Sequence, residues 1–316
     1  MTFLSTTRSL RAISAGILCA IVGLAGPAAA NDQTQATYET ESFQSTYTAG
    51  GTTYNIEGRR PKTSGNYPVY VHIGGTGEPY QSLWALAAIE AAAERGMVAA
   101  SVQYANGLFG NCSVISEKAK AIFDSSNANS AIKQLCSSTR ADCSKGVVTG
   151  GLSQGSIISV LSHDYDSRVR ASFGQGTGST YTQYYDLSSC IADGKHTQSG
   201  SNLRIINGEH DGFVGGSLAV AASQAALVTG LSCSSGSQSC FRTNGSGWYV
   251  VKDSEVQDGY ADHCFMGYGG LPYTQCMGLY VDSHYASGRT GWELNPTMDW
   301  LAGFVGQQSS TLTASK

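Results

Sequence analysis

The sequence predicts an α/β fold in which a mostly parallel central sheet is flanked by helices. Short β-branched or apolar runs alternate with Ala-rich or amphipathic stretches along most of the chain. That alternation is typical of parallel strands joined by crossover helices. Candidate catalytic residues also follow several of the predicted strands, and the loops after parallel strands gather at one edge of a sheet. The length suits one large domain.

The predicted elements follow one another regularly, beginning with an antiparallel hairpin over residues 40–60 that turns at Gly50 and Gly51. β-branched residues favour the strands, and helices are favoured where Ala is abundant and Gly and Pro are absent. The later predicted strands cover 69–73, 97–103, 146–149, 169–173, 203–207 and 248–251, and the predicted helices cover 83–95, 116–135, 156–161, 217–228 and 295–305.

The first thirty residues have the pattern of a secretory signal peptide. Arg8 and Arg11 form a basic start, residues 12–26 are apolar or small, and three alanines ending at Ala30 supply a cleavage site. The apolar run is shorter than the ~20 residues of a membrane-spanning helix. We therefore expect an exported protein without a membrane span, with a signal peptide over 1–30 and a single catalytic domain over 31–316.

Composition and charge argue against several kinds of partner. The formal net charge is -4 and only 13% of residues are charged, so no nucleic-acid partner is expected. The densest basic spot, Arg59 to Lys62, is interpreted as a solvated turn. No C-x₂-C pair occurs and the histidines are not grouped at ligand spacing, so no metal site is expected. The oligomeric state is not indicated by the sequence.

Nine cysteines occur, and one of them, Cys19, lies in the predicted signal peptide. An even number in an exported chain indicates disulfides, although the sequence leaves many pairings open. Short separations favour three local pairs, and a fourth pair would then remain. The expected pairs are Cys136–Cys143, Cys233–Cys240, Cys264–Cys276 and Cys112–Cys190.

Ser153 is the candidate nucleophile. It lies at the centre of Gly151-Leu152-Ser153-Gln154-Gly155, between a predicted strand and a predicted helix. A sharp strand-to-helix turn at this position lifts the serine hydroxyl above the sheet. The residues on either side must be small, and Gly151 and Gly155 have no Cβ that could collide with neighbouring backbone.

A serine needs a base within reach and a third group that orients the base. His263 is the favoured base because it follows the last predicted strand, on the same edge as the serine. The candidate acid is Asp211, which follows strand 203–207 in a Gly-bounded turn. The rival acids are Glu209, Asp253, Asp258 and Asp262, and the other histidines are His72, His163, His196, His210 and His284.

Backbone N–H groups are also needed for the developing oxyanion. One should come from Gln154, directly after the serine, and another from the Gly-rich loop that follows the first parallel strand. Gly75 or Thr76 is expected to supply it. A phosphate-binding role for this loop is disfavoured because the lysine of that motif is missing.

These motifs resemble the α/β-hydrolase superfamily, because the Gly-rich loop, the serine, the acid and the histidine occur in that family's order. The elbow with Gln154 is similar to that of cutinases and related secreted esterases. The resemblance implies ester hydrolysis through an acyl-enzyme, without a cofactor, on a small-molecule or polymeric ester. It also implies a short or absent cap over 174–201 and an open cleft lined by Tyr181, Tyr184 and Tyr185.

Two alternatives stay open from the sequence. One is a serine peptidase or amidase on the same fold, which the three catalytic residues alone do not distinguish from an esterase. The other is a binding protein that kept the scaffold but lost the chemistry.

Overall fold

The computed structural model describes residues 37–181, 185–269, 276 and 278–306. The predicted signal peptide and Tyr184 lie outside these residues. The described residues form one compact unit. The strands of the described part are β1 (Thr40–Ala49), β2 (Thr52–Pro61), β3 (Val69–Ile73), β4 (Val98–Val102), β5 (Val147–Leu152), β6 (Val169–Gln175), β7 (Thr180–Tyr181), β8 (Tyr185–Asp186), β9 (Leu203–Gly208), β10 (Ser239–Phe241), β11 (Gly247–Val251), β12 (Gly267–Tyr268) and β13 (Tyr280–Val281).

The α-helices begin after polar residues or tight turns and cross between strands. They are α1 (Leu83–Glu94), α2 (Cys112–Phe123), α3 (Ala131–Cys136), α4 (Gln154–Leu161), α5 (Ser188–Ile191), α6 (Leu218–Thr229), α7 (Ser283–Ser287) and α8 (Leu294–Ala302). Within the described ranges, none of them combines the length and apolar character that crossing a membrane requires.

One large sheet carries the fold. Among the described residues it has nine strands in the order β1-β2-β4-β3-β5-β6-β9-β11-β10. The strands β4, β3, β5, β6, β9 and β11 run parallel, while β1, β2 and β10 are antiparallel to their neighbours. This mostly parallel sheet, with helices on both faces, confirms the predicted α/β architecture of a central sheet flanked by helices.

Two apolar layers hold the helices against the sheet. One layer contains buried side chains of α2, α3, α4 and α6, and the other contains those of α1, α7 and α8. The central strands β3 and β5 are buried along their whole length. Burial on both faces explains why these strands read as short apolar runs rather than as alternating patterns.

The predicted helix over 116–135 is wrong in its extent. The structure has two helices here, α2 from Cys112 and α3 from Ala131, because short polar side chains between them bind local backbone. Asp124 accepts the N–H of Ser126 at 2.9 Å, and Asn127 accepts the N–H of Asn129 at 2.9 Å. Such side-chain turns compete with helical hydrogen bonds and end the helix.

The expected disulfide pairing is confirmed in the described residues: Cys112–Cys190, Cys136–Cys143, Cys233–Cys240 and Cys264–Cys276. The prediction of a short or absent cap is also consistent with the segment between β6 and β9. Its longest described α-helix is α5, which has four residues.

Candidate active site

Ser153 lies at the sharp turn between β5 and α4. Its backbone has φ 55° and ψ -122°, a conformation that costs a non-glycine residue on the order of 1–3 kcal/mol. The Ser153 N–H donates to the carbonyl of Gln175 at 2.8 Å, which ties the turn to β6. The strand-to-helix turn predicted from the motif is therefore present.

The backbone around Gly151 and Gly155 leaves no room for a side chain at either position. A Cβ on Gly155 would lie 2.0 Å from the carbonyl oxygen of Ile73, and one on Gly151 would lie 2.5 Å from the Gly155 backbone. These contacts show that α4 starts directly against β3 and β5. A larger residue at either position would collide with neighbouring backbone, as predicted from the motif.

Asp211 and His263 meet beside the elbow, although 52 residues separate them along the chain. His263 Nδ1 lies 2.7 Å from Asp211 Oδ2, and both side chains are buried. The other carboxylate oxygen of Asp211 accepts the N–H groups of Phe213 and Val214 at 2.9 and 3.2 Å. The carboxylate is therefore held in one orientation, with one oxygen facing the imidazole.

The loops that carry this acid and this histidine are tied together. The His210 N–H donates to the Ala261 carbonyl at 2.9 Å, and the Ala261 N–H donates to Asp253 Oδ1 at 2.8 Å. Asp253 Oδ2 lies 3.1 Å from His210 Nε2, and the Asp253 N–H donates to Glu209 Oε1 at 2.6 Å. Ligand atoms of Glu209, His210 and Asp253 lie within 4.8 Å of one another. Glu209 and Asp253, the rival acids predicted from the sequence, thus bind backbone and side-chain groups of these loops.

The other histidines differ in their partners and burial. His72 is buried on β3, 3.1 Å from the Tyr70 hydroxyl through Nδ1, and burial lowers its pKa to about 4. His163 Nδ1 contacts the Thr197 hydroxyl, and His284 Nδ1 contacts the Glu255 carbonyl. Burial lowers the pKa of His196.

The residues predicted to form the oxyanion site lie next to the serine. A Cβ on Gly75 would lie 3.2 Å from Ser153 Cβ, so the loop after β3 touches the elbow. Gln154 is the first residue of α4, where backbone N–H groups have no partner within the helix. Gln154 Nε2 donates to Thr76 Oγ1 at 2.8 Å, so its side chain binds the same loop.

Lys118 on α2 fixes the carboxamide of Gln154. Its ammonium donates to Gln154 Oε1 at 2.6 Å and to the Leu108 carbonyl at 2.5 Å. Burial lowers the pKa of Lys118. This link was missed from the sequence, because nothing in the spacing of Lys118 and Gln154 indicates that their helices are adjacent.

Glu78 is the second residue that sequence reasoning missed. It follows the Gly-rich loop and accepts hydrogen bonds from the Gly75 N–H, the Ser82 hydroxyl and the Trp84 indole N–H, each at 2.5 Å. Burial raises the pKa of Glu78, and the donors oppose that rise. Its position, three residues beyond a predicted oxyanion donor, was the available signal.

These residues surround a cleft of about 800 Å³. Tyr181 is buried in its wall with its ring centroid 6.2 Å from that of His263, and Tyr185 is at the rim. Tyr184 lies outside the described residues. The lining of the cleft is mainly apolar and includes Gly75, Thr76, Glu78, Leu83, Trp84, Phe109, Ser153, Tyr181, Tyr185, Phe213 and His263.

Several solved structures are similar to part of this chain. Est1E from Butyrivibrio proteoclasticus has 11% identity and a TM-score of 0.44 over 66% of this chain and 87% of its own. A dienelactone hydrolase from Anabaena variabilis has 11% identity and a TM-score of 0.39 over 55% and 76%. DcsB, in complex with a substrate analogue, has 18% identity and a TM-score of 0.36 over 45% of this chain and 48% of its own, so the match spans about half its length. No family model and no curated protein matches the sequence.

Proposed function

We propose that this protein is a secreted serine hydrolase that cleaves carboxylic esters through an acyl-enzyme intermediate. The observation that carries the proposal is the 2.7 Å contact between His263 Nδ1 and Asp211 Oδ2 in a cleft that Ser153 also lines. An imidazole bound at Nδ1 by a carboxylate directs its Nε2 toward a proton donor. In this proposal the donor is the hydroxyl of Ser153, whose strained backbone lies at the start of α4.

In this mechanism Ser153 Oγ attacks the ester carbonyl carbon while His263 Nε2 takes the hydroxyl proton. Asp211 stabilises the imidazolium, and backbone N–H groups of Gln154 and of the Gly75–Thr76 loop stabilise the oxyanion. The C–O bond to the alcohol breaks as His263 returns the proton to the leaving oxygen. Water, activated by His263, then releases the acid and restores the serine.

The cleft supports a bulky or polymeric ester as substrate. Its rim carries Leu83, Tyr185 and Phe213, which are 48%, 36% and 38% exposed. Exposed apolar side chains around a site indicate an apolar ligand or surface. The proposal includes a signal peptide over 1–30 and a catalytic domain over 31–316. Four disulfides support secretion, because disulfides persist in oxidising compartments.

The test is an ester panel run on the wild type and on Ser153→Ala. We expect turnover of p-nitrophenyl esters and of an insoluble polyester by the wild type, and a loss of at least ~10³-fold in the variant, since removal of a triad member is typically severe. A fluorophosphonate should label only the wild type. Activity confined to peptide nitroanilides would favour a peptidase or amidase. Absence of labelling in the wild type would favour a silent binding protein. Turnover of small soluble esters alone would contradict the polymeric substrate.

A further inference from the structure

The carboxylate of Glu78 accepts hydrogen bonds from two N–H groups that can act only as donors. The Gly75 N–H faces Oε2, and the Trp84 indole N–H faces Oε1. Both groups can only donate, whereas the Ser82 hydroxyl can also accept. Each carboxylate oxygen therefore has one obligate donor, an arrangement that an ionised carboxylate satisfies best.

The hydrogen bond to Glu78 also fixes the direction of the Gly75 N–H. Its N–H is bound by the carboxylate, and its carbonyl accepts from Asn106 Nδ2 at 2.8 Å and from the Glu78 N–H at 3.2 Å. The peptide groups of Gly75 are thus occupied within the loop. Thr76 is the next residue, lines the cleft and is held by Gln154 through its hydroxyl oxygen.

We propose that Glu78 is a positioning residue for the oxyanion site: it holds the Gly75 N–H away from the substrate, so that the N–H groups of Thr76 and Gln154 form the donor pair. This inference rests on the proposed function, and it assigns the second donor to Thr76. Glu78 acts through the loop and need not touch the substrate.

The charge of Glu78 makes the idea testable, because charge and positioning predict opposite results. The carboxylate and Ser153 flank the same point, since a Cβ on Gly75 would lie 3.4 Å from Glu78 Oε2 and 3.2 Å from Ser153 Cβ. A negative charge there opposes a developing oxyanion. If charge alone mattered, its removal would raise kcat. If positioning matters, its removal lowers kcat.

The experiment compares Glu78→Gln and Glu78→Ala with the wild type on a soluble nitrophenyl ester. Loss of an oxyanion donor typically costs 10²–10³ in rate, so we expect kcat to fall about 100-fold in Glu78→Ala. The amide oxygen of Gln can still accept from the Gly75 N–H, so we expect a smaller fall, about tenfold, in Glu78→Gln. KM should stay within about twofold of the wild-type value in both variants. The matched control is Glu90→Gln on α1, where Glu90 pairs with Arg59 at 3.1 Å. It should retain wild-type kcat.

A second readout separates positioning from a general structural role. An arylboronic acid forms a tetrahedral adduct with the serine oxygen, so its affinity should fall in step with kcat/KM in the Glu78 variants. Thermal unfolding followed by circular dichroism checks the fold, and Glu78→Gln carries the test if Glu78→Ala does not fold. A kcat at or above the wild-type value, or a lowered Tm with unchanged kcat and boronate affinity, would overturn the inference. Inactive wild type, or activity that survives Ser153→Ala, would instead refute the proposed function.

Discussion

Ser153 shows how neighbouring residues hold a strained conformation in place. Its positive φ is stabilised by the bond to Gln175 and by the close approach of α4 to β3 and β5, which only glycines allow. The cost of the strain, on the order of 1–3 kcal/mol, is small beside the packing around it. The result is a hydroxyl at the cleft whose position depends on backbone rather than on a flexible side chain.

Gly176 has a comparable role beside His263. It has φ +58°, and a Cβ here would lie 2.5 Å from His263 Cε1 and 2.6 Å from Nδ1. We expect Gly176→Ala to push the imidazole out of line and to lower kcat/KM by roughly 100-fold, because displacement of a catalytic group by about 1 Å can cost that much. The measurement is ester turnover, with fluorophosphonate labelling of Ser153 as a second readout.

Gly194 is the matched control for this substitution. It has φ +77°, and a Cβ added here would have no neighbouring atom within 4 Å. Gly194→Ala therefore introduces similar backbone strain without a collision. Equal losses of activity in the two variants would mean that general destabilisation, and not the position of His263, explains the effect.

At the scale of elements, the loop after β3 is held between two helices. Glu78 lies in this loop and accepts from the Ser82 hydroxyl and the Trp84 indole N–H at the start of α1, and the Gln154 side chain binds Thr76 from the start of α4. The Lys118 ammonium on α2 orients the Gln154 carboxamide, so its Nε2 faces Thr76. A loop with fixed backbone donors needs little reorganisation when charge develops, which is the condition for effective oxyanion stabilisation.

Lys118→Met tests this link between helices. The variant keeps the apolar stem but leaves the Gln154 carbonyl without its cationic donor, so we expect kcat for a soluble ester to fall about three- to tenfold with KM little changed. Lys120→Met, an exposed position on the same helix, is the control and should match the wild type. No difference between the two variants would show that the Gln154 side chain is held without Lys118.

At the scale of the whole molecule, the sheet brings distant residues to one edge. Ser153 follows β5, Asp211 follows β9 and His263 follows β11, and these strands run parallel in the sheet. Burial also places ionisable groups inside the fold, and these determine how its stability depends on pH.

His72 should contribute to acid sensitivity. Burial lowers its pKa from 6.5 to about 4, so between these pH values the unfolded chain binds a proton that the folded chain does not. Its contribution to stability is present above pH 6.5 and is lost as pH falls through about 4, by on the order of 3 kcal/mol. Asp262 acts in the opposite direction, because burial raises its pKa to about 6 and its stabilising effect is therefore lost as pH rises from about 4 to 6.

His72→Asn isolates the histidine contribution. Urea unfolding of the wild type and the variant at several values between pH 4 and pH 7 should give curves that converge or cross as pH falls, because the variant lacks the group that titrates. Asp262 is common to both proteins and cancels in the difference. Two parallel curves would contradict a lowered pKa for His72.

The sequence by itself determined the α/β class, most strands and helices, the disulfide candidates and the order of Ser153, Asp211 and His263, because apolar periodicity, turn glycines and motif spacing are local properties. Only the tertiary structure decided that helix 116–135 is divided, that Glu78 binds the Gly75 N–H and that Lys118 binds the Gln154 side chain. It also brought Asp211 Oδ2 to 2.7 Å from His263 Nδ1, although 52 residues separate them. These outcomes depend on which side chains meet across helices and loops, and such meetings are set by packing in three dimensions, which neighbouring residues along the chain do not encode.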